Sequence, residues 1–108
     1  MDLKTMQETF HQNALNHGFW DGVEKQNVPA KIALIHSEMS EALEDYRSGS
    51  LETTYDETGK PEGFATELAD AVIRILDLAE WMDVDLEEVL MEKHEYNLNR
   101  PYMHGKVI

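Results

Sequence analysis

Apolar residues recur at intervals of three and four along four stretches of this chain, the rhythm of helices with one face turned to a core. Residues 2–16 carry Leu3, Met6, Phe10 and Ala14 in that phase, and Gly18 with Phe19-Trp20-Asp21-Gly22 breaks it. A second helix is expected to start near Pro29, whose fixed φ and missing N–H suit a first turn. Its stripe is Ile32, Ile35, Met39, Ala42, Leu43 and Tyr46, and it ends at Arg47-Ser48-Gly49, a cation followed by a glycine stop. The third is expected to begin at Pro61 or Glu62 and to reach Met82, with Phe64, Leu68, Ala71, Val72, Ile75, Leu78 and Ala79 on its apolar side. Asp85, with Glu88 three residues on, has the look of an N-cap for a fourth helix that runs to about Asn99 and stops before Pro101. Residues 48–63 are polar and turn-rich and read as a loop, longer than small domains usually carry. Val, Ile and Thr are sparse and no alternation of period two persists. The expected class is all-α, a bundle of four to five helices.

Helices two and three carry the same acidic ridge. At roughly 100° per residue, Glu38 and Glu41 lie just to one side of the stripe Ile35, Met39, Ala42, Tyr46. Glu67 and Asp70 take the same angular place beside Phe64, Leu68, Ala71 and Ile75. Packed face to face, the two stripes would bring all four carboxylates along one edge of the contact. Four anions that close repel one another by several kcal/mol in a partly desolvated setting. A divalent cation removes the repulsion, and all-oxygen ligation suits Mg²⁺, with Mn²⁺ as a substitute. Glu38, Glu41, Glu67 and Asp70 are therefore the candidate metal ligands. Glu38 and Glu41 are the candidate catalytic carboxylates, and the spacing does not choose which of them handles a water proton. Acidic pairs three apart are common in this chain, and the plainer reading of pairs such as Glu92 and Glu95 is a solvated face. Glu44, Asp45 and Asp77 continue the ridge as outer ligands or, more simply, as solvated charges. Arg74 lies there too and reads as the partner of one carboxylate.

Composition narrows the chemistry. The chain has 108 residues, enough for one small domain (residues 1–108, with 100–108 a short tail). It holds 22 acidic residues against 9 basic ones, a formal net charge of -13, which argues against binding a nucleic-acid polymer through its backbone. It has no cysteine, so disulfides, thiolate zinc sites and thiol nucleophiles are excluded. No apolar run is long enough to span a membrane, and the N-terminus lacks a signal pattern, so the expected location is cytoplasmic. A carboxylate–Mg²⁺ site supports hydrolysis of a phosphoric anhydride, because the ion screens the charge that keeps water from phosphorus.

Cations are scarce, so their placement is informative. Lys93, Asn97 and Arg100 share one face of the fourth helix, and His104 and Lys106 follow in the tail. The cluster suits phosphates lying beyond the metals; the simpler alternative is that it complements the helix dipole. Phe19 and Trp20, in a glycine-flanked turn, read first as a small satellite core. His11, His17 and His36 show no ligand spacing and read as ordinary surface or core-edge residues.

The run Leu34-Ile-His-Ser-Glu-Met-Ser-Glu-Ala-Leu-Glu44, followed by Glu67-Leu-Ala-Asp-Ala-Val-Ile-Arg74, resembles the MazG-like all-α nucleoside triphosphate pyrophosphohydrolases. That superfamily's mark is Glu-x-x-Glu, a variable spacer, then Glu-x-x-Asp. The likeness extends to Gly18-Phe19-Trp20, to Lys93, Asn97 and Arg100-Pro101, and to His104-Gly105-Lys106, so it covers nearly the whole chain. It implies hydrolysis of a nucleotide between its α- and β-phosphates, giving a nucleoside monophosphate and pyrophosphate. It further implies that Glu38, Glu41, Glu67 and Asp70 hold Mg²⁺, that Lys93, Asn97, Arg100 and Lys106 contact the nucleotide, and that Trp20 lines the base pocket. Homodimers or homotetramers, with helices completing a bundle across subunits, are implied as well. Wide apolar stripes on helices two and three point the same way. The long loop between the motif halves departs from the pattern, and there is a single motif set, unlike tandem-domain relatives. Two other functions fit parts of this description: phosphoribosyl-ATP hydrolysis on the same fold, and a non-enzymatic acidic helical adaptor.

Overall fold

The structure is a computed structural model that describes residues 1–105. Among these, four helices carry the fold: α1 (Leu3–Asn16), α2 (Val28–Ser48), α3 (Phe64–Trp81) and α4 (Leu86–Leu98). The chain is mostly helical, as its apolar periodicity requires. Local chemistry sets most boundaries. Asp2 caps α1 by accepting from Thr5 N at 2.8 Å, and Asp85 caps α4 by accepting from Glu88 N at 3.3 Å. Pro29 occupies the first turn of α2, and Gly49 closes that helix in the left-handed region at φ 82°. No helix among the described residues is long and apolar enough to cross a membrane.

α3 is the axis. It packs against α2 on one side and α1 on the other, while α4 leans on α1. Ala42 of α2 and Ala71 of α3 are buried, and side chains this small let helices approach closely. Leu76 is the most deeply buried large residue; truncating such a leucine to alanine costs roughly 2–5 kcal/mol. Trp20 is buried as well, stacked on Trp81 with ring centroids 4.8 Å apart. The Phe19-Trp20 turn thus supplies a satellite core beside α3.

The connection between α2 and α3 differs from the expectation. Pro61 and Glu62 do not begin a helix; they form a strand, β2 (Pro61–Glu62), paired antiparallel with β1 (Thr54–Tyr55). Asp56 closes the hairpin, its Oδ1 accepting from the N–H of Thr58 and of Lys60. Gly63 then stops β2 at φ 127°, and a Cβ there would lie 2.7 Å from the carbonyl oxygen of Glu52. Only glycine fits, so α3 starts at Phe64, whose N–H donates to Ser50 O at 3.1 Å. This anchor lies one turn before Glu67.

Candidate active site

The ridge on α2 and α3 converges. One carboxylate oxygen each from Glu38, Glu67 and Asp70 fall within 4.8 Å of one another. The Glu38 side chain keeps only 13% of its exposure and takes a hydrogen bond from Arg74 Nε at 2.9 Å. Arg74 therefore pairs with one ligand candidate, as its place on the ridge suggested. Glu41 lies against Glu67 but is itself solvent-exposed and does not join the group of three. The equal phase of the two helices predicts four converging carboxylates; three offer oxygens mutually within 4.8 Å, and the fourth, Glu41, contacts Glu67 from the exposed side.

The electrostatics match that crowding. Loss of hydration pushes the Glu67 carboxyl up to about 7, helped by its contacts with the Glu41 and Glu38 carboxylates and by the charges of Glu41 and Asp70. Asp70 is also raised, first by burial and then by Glu38, with Arg74 pulling the other way. Among the described residues, Arg74 is the cation that directly bridges into the cluster. The donor set is hard, anionic, all-oxygen and short of positive charge, which fits a divalent cation of the Mg²⁺ type.

A cleft of about 380 Å³ opens from this cluster. Glu38, Asp70 and Arg74 line one part of its wall, and Phe10, Phe19, Trp20, Leu34 and Ile73 line apolar parts. Trp20 belongs to the wall but offers no open ring. Trp81 stacks on it, Lys31 Nζ lies 4.4 Å from its ring centre, and only 7% of the residue is exposed. Phe19, at 65% exposure, is the more accessible aromatic.

Asp77 is not the solvated charge its ridge position suggested. Its Oδ1 accepts from Trp20 Nε1 at 2.8 Å and pairs with His11 Nδ1 at 2.7 Å. An ionised carboxylate only accepts, so the His11 nitrogen carries the proton. His11 is a core-edge residue, as expected, but with a defined partner. Sequence reasoning missed this trio because its members lie 57 and 66 positions apart, beyond any local periodicity.

Lys93, Asn97 and Arg100 do not line the cleft. Lys93 and Arg100 instead approach the Tyr96 ring, at 4.8 and 5.7 Å from its centre. Asn97 has its buried side-chain oxygen without a hydrogen-bond partner. Lys106, the remaining candidate contact, lies outside the described residues.

Comparisons with protein-family models, with curated proteins and with solved structures found no match. The resemblance stated above rests on its motif residues alone.

Proposed function

We propose that the chain is a Mg²⁺-dependent pyrophosphohydrolase of (deoxy)nucleoside triphosphates, a MazG-like enzyme of the cytoplasm that clears unwanted nucleotides. One observation carries the reading: three carboxylates from two helices converge beside a cleft with apolar walls, and nothing in folding alone rewards such crowding. Glu38, Glu67 and Asp70 would hold the metal, with Glu41 reaching in from the rim. When bound, Mg²⁺ supplies charge screening and Lewis acidity for anhydride hydrolysis. The cleft is large enough for a flat base, and its apolar walls would exclude water from one side of it.

A second copy of the chain belongs to the same proposal. Met39, Leu43 and Tyr46 on α2 and Leu68, Val72 and Ile75 on α3 are exposed, more apolar surface than a small monomer usually leaves in water. The Lys93, Asn97 and Arg100 face of α4, off the cleft within one chain, would serve the triphosphate only through assembly or movement of α4. Light scattering or sedimentation should give the mass of a homodimer or homotetramer; a monomer at micromolar concentration would remove this part.

The activity is tested by incubating purified protein with Mg²⁺ and a panel of natural, damaged and deoxy triphosphates, with phosphoribosyl-ATP included. The expected products are a monophosphate and pyrophosphate. Asp70→Asn should reduce release by at least about 100-fold, since loss of mere supporting groups around a metal already costs 10–100-fold. Its circular dichroism should match the parent. Release of orthophosphate, or none of either product, would overturn the assignment.

A further inference from the structure

Asp77 stands seven residues after Asp70, about two helical turns along α3, and lines the same cleft. Its Oδ1 is committed to Trp20 and His11. Its Oδ2 takes no hydrogen bond from the described residues, yet it is not among the buried oxygens sealed without a partner. The half-buried carboxylate is thus fixed on one side and open on the other, with a side-chain exposure of 15%. A carboxylate accepts hydrogen bonds through both oxygens, so the open one still has acceptor capacity. The same cleft has apolar lining from Phe10, Leu34, Ile73 and Leu78 and polar lining from Asn13, Lys31 and Arg74.

This arrangement is unlike the acidic cluster. The cluster gathers anions that want a cation; Asp77 offers one oriented acceptor in a cleft of about 380 Å³ with several apolar residues in its wall. The anchoring bonds from Trp20 and His11 prevent it from rotating away, and that makes it selective. A ligand edge with an N–H completes the pair, whereas an edge with a carbonyl oxygen sets acceptor against acceptor and leaves the carboxylate desolvated without a partner.

We propose that Asp77 is a specificity-determining residue whose Oδ2 accepts from the exocyclic amino group of the bound base, so that the cleft favours a base with an amino group at the contacted position over its oxo counterpart, cytosine over uracil. The inference rests on the nucleotide reading above. Lys31 and Arg74 do not reverse it: the Lys31 ammonium is held by Phe19 O at 2.8 Å and over the Trp20 ring, and Arg74 Nε donates to Glu38 Oε1 at 2.9 Å. Asp77 performs no chemistry in this scheme; it chooses the ligand.

The test is equilibrium binding to the full chain in Mg²⁺ buffer, by calorimetry, with cytidine and uridine monophosphates as probes. The wild type is expected to bind the cytidine compound at least about tenfold more tightly, a ratio well below the most that a hydrogen-bonding site can enforce. Asp77→Asn keeps an oxygen for Trp20 and His11 and turns an NH₂ into the cleft, so the preference should reverse. A residue that only held Trp20 in place would weaken both ligands equally when changed, and that result would overturn the proposal. So would a wild-type preference for uridine, or no saturable binding of either compound. The wild-type ratio needs no variant, so poor folding of Asp77→Asn cannot rescue the idea. Base preference without pyrophosphate release would sink the proposed activity alone; release without preference would sink this inference alone.

Discussion

The two sides of α3 follow opposite rules. Toward α1, polar groups are matched. Gln7, 2% exposed, donates to Glu80 Oε1 at 3.0 Å and to Val84 O at 2.7 Å, and accepts from Leu86 N at 3.4 Å. Toward α2, the carboxylates of Glu38, Glu67 and Asp70 face one another with Arg74 bridging to one of them. One helix therefore presents a solved packing problem on one face and an unsolved electrostatic problem on the other. The cation proposed above would answer the second.

If that contrast is right, the matched face should fail hardest when edited. Gln7→Leu keeps the bulk of the side chain but strips partners from a carboxylate, a carbonyl and an N–H at the junction of α1 with the α3–α4 turn. Each unpaired buried group costs about 1–3 kcal/mol, and Glu80 can recover part of its loss by turning to water, so a net loss of about 2–3 kcal/mol is expected. Urea unfolding measures it. A change within 0.5 kcal/mol would mean that Gln7 is a bystander and that the two faces do not differ in the way described.

The same contrast explains what could be read in advance. Helix ends were legible where the signal is local: Asp85 before Glu88, Pro29 in a first turn, Gly49 after Arg47. The acidic ridge was legible too, because a period of 3.6 places Glu38, Glu67 and Asp70 without knowledge of the neighbours. Glu41 shows the limit of that logic. Angular phase says which side of a helix a residue occupies but not how closely its oxygens meet the others: Glu41 touches Glu67 yet stays exposed and outside the tight group of three. The hairpin of residues 54–62 left no trace, since two-residue strands show no alternation and depend on Asp56 and on the contact of Gly63 with Glu52. The Asp77 trio was invisible for a different reason, being made wholly by tertiary contact. Matched polar groups are hard to foresee; crowded like charges on a periodic stripe are not.

The smallest expected effect probes the unsolved face itself, through pH. The Glu67 carboxyl titrates near 7 in the folded chain against an ordinary value of 4.5. A folded-state value above the unfolded one means that the native protein holds the proton more tightly. The resulting stabilisation is complete below about 4.5, declines as the pH rises, and is lost above about 7. Asp70, shifted in the same direction, adds to the trend. Asp2 and Asp56 are shifted downward by their turn hydrogen bonds, and their stabilising effect is lost only as the pH falls below the ordinary 3.8. They do not confuse a scan from pH 5 to 8. Over that scan the melting temperature of metal-free protein should fall by a few degrees more in the parent than in Glu67→Gln. Because ligands must shed their protons to bind a cation, the stabilisation given by added Mg²⁺ should grow over the same interval, and it should shrink in the variant. Identical slopes in parent and variant would show that Glu67 keeps an ordinary proton affinity, and a Mg²⁺ effect that ignores pH would detach the ion from this cluster altogether.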